Sequence, residues 1–309
     1  MVEKEFLGYK DYPINLYIWD VVAEPKGVVQ IVHGMVEHAK RYNDFANFLN
    51  ANGYIVIADD HRGHGVTAKG KLGVVPTADN FNDTLEDEIK ISKYALEQYK
   101  LPVTLFGHSY GSFLSQAYIE RASNLINGVI LSGSARQPGF LVGAGNMVAS
   151  MHNALFGKDK PAKMIDKLAF GGYNKKFKND GSPYAWLSKN KDNVQAYEDD
   201  KYCGYLVSIG FYKAFFGGLT QLYKKDRLDA IRKDLPIFII SGDMDPVGGF
   251  GKYVENLRNT YVKQGIKSVD MKLYHDLRHE ILNEVEKREI YDDSLAFIDS
   301  LDREYKAKL

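Results

Sequence analysis

Two rhythms of apolar and polar positions alternate along the first 136 residues. INLYIWDVV (14–22) switches between apolar and polar residues, the period of a strand. GVVQIVHG (27–34), YIVIADD (54–60), PVTLFG (102–107) and GVILSG (128–133) are short continuous apolar runs, which suit strands covered on both faces. Between them the spacing is helical. Phe45, Phe48 and Leu49 share one face of a segment at 41–51 that Asn52-Gly53 stops. Leu85, Ile89, Leu96 and Tyr99 mark a second helix, with Asp83 as its N-cap and Glu86 three residues on. GSFLSQAYIERA (111–122) reads as a third. This β-α repetition predicts an α/β fold, a mainly parallel sheet flanked by helices.

The rhythm breaks near Arg136. Residues 137–230 hold helix-like pieces between Pro138-Gly139, Gly171-Gly172 and Ser182-Pro183, and no strong buried strand. It returns at LPIFIISGD (235–243), followed by a helix (252–264), SVDMKLYH (268–275) and a last helix in which Tyr291, Leu295 and Ile298 share a face. The organisation expected is a core of 1–136 and 231–309 interrupted by a mostly helical insertion, 137–230. A stretch of that length is expected to fold rather than run as a loop.

Composition narrows the class. The 309 residues are 45% hydrophobic, enough to bury a sizeable core. Forty Lys+Arg balance forty Asp+Glu, so no basic stripe argues for nucleic acid. One cysteine, Cys203, excludes an intrachain disulfide framework and fits a reducing compartment. The start, MVEKEFLGYKDYP, is charged and reads as no signal peptide, and no stretch reaches the ~18 apolar residues of a membrane span. A soluble cytoplasmic protein is expected, and nothing in the sequence sets its oligomeric state.

The chemistry starts at Gly107-His108-Ser109-Tyr110-Gly111, which a buried strand enters and a helix leaves. A turn of this kind holds its Ser in a strained conformation, and the flanking glycines let neighbouring backbone pass close by. The helix N-terminus adds free N–H groups beside the hydroxyl. The bland alternative is a Ser that only caps the helix. A nucleophilic Ser needs a base, and the base needs a carboxylate, in the chain order Ser, Asp or Glu, His. SGDMDP ends one strand with Asp243 and Asp245; YHDLRHE ends the next with His275 and His279. Asp245, deeper in its loop, is preferred to Asp243. His279, just before the expected opening of the last helix at Glu280-Asn283, is preferred to His275. Of the other histidines, His108 flanks the Ser and reads as structural, His61 and His64 sit in a Gly-rich turn after a strand, His38 begins a helix and His152 lies in the insertion. His275 and His279 are four apart but lack the HExxH pattern and a third ligand, so no metal and no cofactor are expected. Acyl transfer also needs N–H donors for the developing oxyanion. Tyr110, after the nucleophile, is one; Met35, after the His33-Gly34 turn, is the other.

HGMVEHAKRY (33–42), DDHRGHGVT (59–67), GHSYGS (107–112), SGDMDP (241–246) and RHEILNE (278–284) together resemble the monoacylglycerol lipase and lysophospholipase-like branch of the α/β-hydrolases, often labelled serine aminopeptidase S33. Five motifs in the right order, over about two thirds of the chain, carry the resemblance. It implies Ser109 as nucleophile, Asp245 as acid, His279 as base, Met35 and Tyr110 as oxyanion donors, and 137–230 as a cap over an acyl pocket. The sequence departs from that pattern at Val36, Thr67 and Ser112, and no departure removes a catalytic group. Aromatic residues crowd 203–223, and of these Phe211 and Phe215, with Met151, are expected to line an acyl slot; the alternative is that such residues form the cap's own core. The expected activity is a serine carboxylic-ester hydrolase acting on monoacylglycerol- or lysophospholipid-like esters, with a transient membrane or micelle contact through the cap. Rival readings are an esterase for small or aryl esters, a peptidase on the same triad, and a silent binding protein.

Overall fold

The computed structural model describes the backbone of residues 1–308 and the side chains of residues 1–301. Eight strands, β1 (Val2–Leu7), β2 (Pro13–Trp19), β3 (Gly27–Val32), β4 (Tyr54–Asp60), β5 (Val103–His108), β6 (Gly128–Ser132), β7 (Ile237–Gly242) and β8 (Val269–Tyr274), form one sheet. Their order is β1-β2-β4-β3-β5-β6-β7-β8. β2 runs antiparallel to both neighbours, and every pair from β4 to β8 is parallel. Every residue of β3 through β7 is buried, as their unbroken apolar runs demand.

Alternate residues of those strands feed two cores. Leu16, Ile18, Val28, Ile55 and Leu105 face one side, where they meet α2 (Asn80–Tyr99), α3 (Tyr110–Ala122) and α9 (Lys252–Lys263). Tyr17, Trp19, Val29, Val56 and Phe106 face the other, against α1 (Asn43–Ala51) and α10 (Lys287–Lys308). The period of two along each strand thus produces a sheet covered on both faces.

Between β6 and β7 the chain forms α4 (Gly139–Phe156), α5 (Lys163–Phe170), α6 (Lys191–Asp199), α7 (Ile209–Leu219) and α8 (Lys225–Ala230). α7 is apolar apart from Lys213 and sinks Phe211, Tyr212, Phe215 and Leu219 into the same core as α2 and α3. A Cβ on Gly218 would run into the Phe81 ring, so glycine lets α7 approach α2 closely. No helix among the described residues is long and apolar enough to cross a membrane.

Two expected boundaries move. α2 begins at Asn80, not Asp83; the Asp83 carboxylate instead accepts from Thr77 Oγ1 (2.6 Å) and Lys10 Nζ (3.2 Å). The last helix begins at Lys287, and 281–283 is an isolated 3-10 turn. There the Glu284 carboxylate is occupied by Ser188 Oγ (2.7 Å) and the N–H groups of Lys189 and Arg278, which holds the segment as a loop.

Candidate active site

Ser109 sits where β5 meets α3, with φ 52° and ψ −117°. That is a costly conformation for a residue with a side chain, and it persists only because the surroundings enforce it. A Cβ on Gly107 would lie 2.7 Å from the Gly111 carbonyl oxygen, and one on Gly111 would strike the Val32 carbonyl. Neither position tolerates a side chain, so β5, α3 and β3 close up around the turn. Ser109 N–H donates to Ser132 O (3.0 Å), and Ser112 N–H and Phe113 N–H both donate back to Ser109 O. The hydroxyl therefore stands at the first turn of α3, where backbone N–H groups lack intrahelical acceptors.

Asp245 and His279 come from loops after β7 and β8 and meet at 2.9 Å, Asp245 Oδ2 to His279 Nδ1. Both are buried. Asp245 also accepts from Ser241 Oγ (3.1 Å) and Val247 N–H (2.8 Å). Burial pushes its carboxyl up, but the His279 charge and these hydrogen bonds outweigh it and hold the group below the usual range. Burial likewise pushes His279 down, and Asp245, with Glu280 and Glu37, raises it above its ordinary value. With Nδ1–H fixed on Asp245, the other ring nitrogen is left to take a proton. Asp243 and His275 form a pair of their own (2.9 Å), with the His275 side chain 94% exposed. The second Asp and second His thus lie outside the buried pair.

The His108 ring lies 4.8 Å from that of His279. Burial and then the His279 charge push His108 down to about 4, so it stays neutral. The ring of Trp186, from the insertion, lies 5.1 Å from that of His279, tilted by 37°. Ser109, His108, His279, Gly34, Met35 and Tyr110 all open into one cavity of ≈ 1170 Å³. A Cβ on Gly34 would lie 3.3 Å from Ser109 Cβ, which brings the turn after β3 against the elbow.

That turn is heavily braced. Gly34 N–H donates to Glu37 Oε1 (2.5 Å), which also accepts from Tyr42 OH (2.9 Å). Glu37 Oε2 accepts from Arg41 (2.6 Å), and the same guanidinium grips both oxygens of Glu280 at 2.7 Å. Burial pushes Glu280 up, but Arg41 and Asn193 pull it down to about 2. The residue after His279 is thereby tied to the turn that carries Met35. Beneath it, His33 donates from Nδ1 to Gly34 O (2.7 Å) and accepts the His61 N–H at Nε2 (3.0 Å). His61 donates from Nε2 to His33 O (3.1 Å), and its Nδ1 faces Asp59 and Glu88. Burial opposes its charge, but those two carboxylates raise it well above the ordinary value. Val36 takes φ 53°, strained for a β-branched residue. Its carbonyl accepts from Gly204 N–H (3.0 Å) and Tyr197 OH (3.1 Å) of the insertion. None of Glu37, Arg41 and Glu280 was singled out by sequence; the spacing Glu37–Arg41, one helical turn, was the only local signal.

Of the three side chains expected to line an acyl slot, Phe215 faces the cavity. Phe211 and Met151 lie elsewhere. Phe211 is buried between Tyr110 (5.2 Å), His64 (5.6 Å) and Tyr212 (6.3 Å), so it packs the core beneath α7. Met151 lies half exposed on α4 and is not a lining residue. The insertion wall comes instead from residues such as Leu141, Val148, Ile165, Phe170 and Phe216.

The sheet order and the strained Ser turn between β5 and α3 define an α/β-hydrolase. The family model described as serine aminopeptidase, S33, matches residues 23–286, and the chain belongs to that family. A monoacylglycerol lipase from Mycolicibacterium smegmatis is 29% identical over 96% of this chain and 96% of its own length. The Mus musculus monoglyceride lipase is 31% identical over 74% of this chain and 68% of its own. The crystal structure of a highly thermostable carboxyl esterase from Bacillus coagulans, in complex with glycerol, matches with a TM-score of 0.89 and 29% identity, covering 97% of this chain and 98% of that one. The resemblance read from the five motifs therefore holds, and the chain is an ester-hydrolysing enzyme.

Proposed function

We propose that this enzyme is a serine hydrolase that cleaves monoacylglycerol- or lysophospholipid-like esters through an acyl-enzyme. Ser109 Oγ attacks the carbonyl carbon while His279 takes its proton. The Met35 and Tyr110 N–H groups hold the oxyanion. His279 then gives its proton to the leaving alcohol, and water, deprotonated by the same base, releases the acid. Asp245 fixes the tautomer of His279 and stabilises its charge. Residues 137–230 act as the cap, and no cofactor is needed for these steps.

The observation that carries the reading is that Ser109 and the Asp245-bonded His279 share one large cavity whose far wall is apolar. A pocket of this volume accommodates an acyl chain as well as the reacting ester. α4 supports a contact with lipid aggregates, since it presents Phe140, Met147, Met151 and Leu155 to solvent beside the cavity. A peptidase reading is weaker despite the family's description. The cavity's carboxylates are engaged, Glu37 and Glu280 by Arg41 and Asp166 by Tyr212 OH (2.7 Å), which leaves no ready partner for a substrate amine among the described residues.

The test is glycerol release from 1-monoacylglycerols of increasing acyl length, beside a short aryl ester, with Ser109→Ala as blank. Preference for medium or long chains is expected. Turnover of the aryl ester alone would discard the lipid substrate while keeping the triad.

A further inference from the structure

On the flank of the braced turn, three side chains with metal-binding donors converge from two segments. His38 follows Glu37 in the turn after β3; Asp200 and Cys203 lie in the turn that follows α6, closed by Cys203 N–H on Asp200 O (2.9 Å). His38 Nε2 is 2.8 Å from Asp200 Oδ2. One donor atom from each of the three residues lies within 4.8 Å of the others. Asp200 Oδ1 is already taken by Tyr202 N–H (2.8 Å), which turns Oδ2 toward His38. Cys203 is 8% exposed, and among the described residues its thiol makes no hydrogen bond. The buried sulfur thus lies beside an imidazole and a carboxylate, each within reach of a common point.

We propose that His38, Asp200 and Cys203 bind one borderline-soft divalent cation of the Zn²⁺ type. The donor set selects the class, because thiolate with imidazole and one carboxylate suits Zn²⁺, Co²⁺ or Cd²⁺, whereas Mg²⁺ and Ca²⁺ require oxygen shells. Metal–donor distances of about 2.0–2.3 Å imply donors about 3.3–3.7 Å apart in a tetrahedron. The His38–Asp200 pair, now a hydrogen bond at 2.8 Å, opens by about half an ångström to admit the ion. The Asp200 side chain is 31% exposed, which provides the entry path and leaves the fourth position to water. On binding, the thiol proton passes to the buffer and a metal–sulfur bond replaces the S–H bond. The ion joins the turn that carries Met35 to the insertion, alongside the bonds of Val36 O to Gly204 and Tyr197.

The test uses the full-length, untagged, chelator-treated chain titrated with Co²⁺. One equivalent should bind with a near-ultraviolet thiolate-to-metal absorption band, and Zn²⁺ should displace it and raise the melting temperature. Cys203→Ser should abolish the band, and His38→Gln and Asp200→Asn should each weaken binding at least tenfold. Asp200→Asn changes a partly exposed turn, so it keeps the test decisive should His38→Gln fail to fold. Absence of saturable one-equivalent binding would overturn the proposal. So would an affinity unchanged in Asp200→Asn or in folded His38→Gln, which would reduce the site to a thiol reacting alone.

Discussion

Replacing Arg41 by Met removes the cation that sits between two buried carboxylates. Its side chain is 10% exposed and makes three bonds of 2.6–2.7 Å to Glu37 and Glu280. Glu280 is held at about 2 against an ordinary 4.5, so its pairing with Arg41 stabilises the folded chain at neutral pH. Its folded-state value is depressed, so this stability is fully present above pH 4.5 and is lost as the pH falls toward 2. Met fills most of the volume but leaves both carboxylates without the guanidinium, and breaking a buried pair costs about 3–5 kcal/mol. We expect Arg41→Met to lose that amount in urea unfolding at pH 7. Without the guanidinium, burial raises Glu280 above its ordinary value, so acid protonates and relieves it. The gap to the parent protein should therefore narrow from pH 7 to pH 4. Because Glu37 holds Gly34 N–H and Glu280 follows His279, kcat should also fall at least tenfold with little change in KM. A loss under 1 kcal/mol at pH 7, or a gap unchanged between pH 7 and pH 4, would show that Arg41 does not hold the two carboxylates charged.

Two further outcomes are expected. Asp245→Asn should lower kcat by about 10³–10⁴ with KM nearly unchanged, since the amide no longer fixes the His279 tautomer. The base works only when neutral, so activity rises with pH through the raised value of His279, and in this variant the acid limb of the pH–rate profile should move to lower pH. Phe211→Ala and Phe215→Ala should separate: the first should cost about 3–5 kcal/mol of stability, while the second should lower kcat/KM for long-chain esters about tenfold more than for a short aryl ester.

The central strands were legible because each is an apolar run buried on both faces, and YIVIADD coincides with β4 residue for residue. β1 was not, since VEKEFL carries three charges and lies at the sheet edge, where only one neighbour is needed. The Ser turn was legible through its glycines, which local sterics require. Asp245 is preferred to Asp243 from its loop position and from the resemblance carried by SGDMDP, and the structure pairs Asp243 with His275. Phe211 and Phe215 are one helical turn apart, and periodicity does not tell which of two buried neighbours meets the cavity and which meets Tyr110. The brace between Glu37, Arg41 and Glu280 spans 239 residues between its cation and its second anion, a distance at which no local pattern operates.

Covalent capture of the nucleophile tests the proposed mechanism most directly. The intact enzyme would be treated with a fluorophosphonate and mapped by peptide mass spectrometry. One adduct is expected, on Ser109, formed in step with loss of ester hydrolysis and much slower in His279→Ala. Ester hydrolysis that continues after Ser109 is fully labelled, or an adduct that forms elsewhere in step with inactivation, would contradict that mechanism.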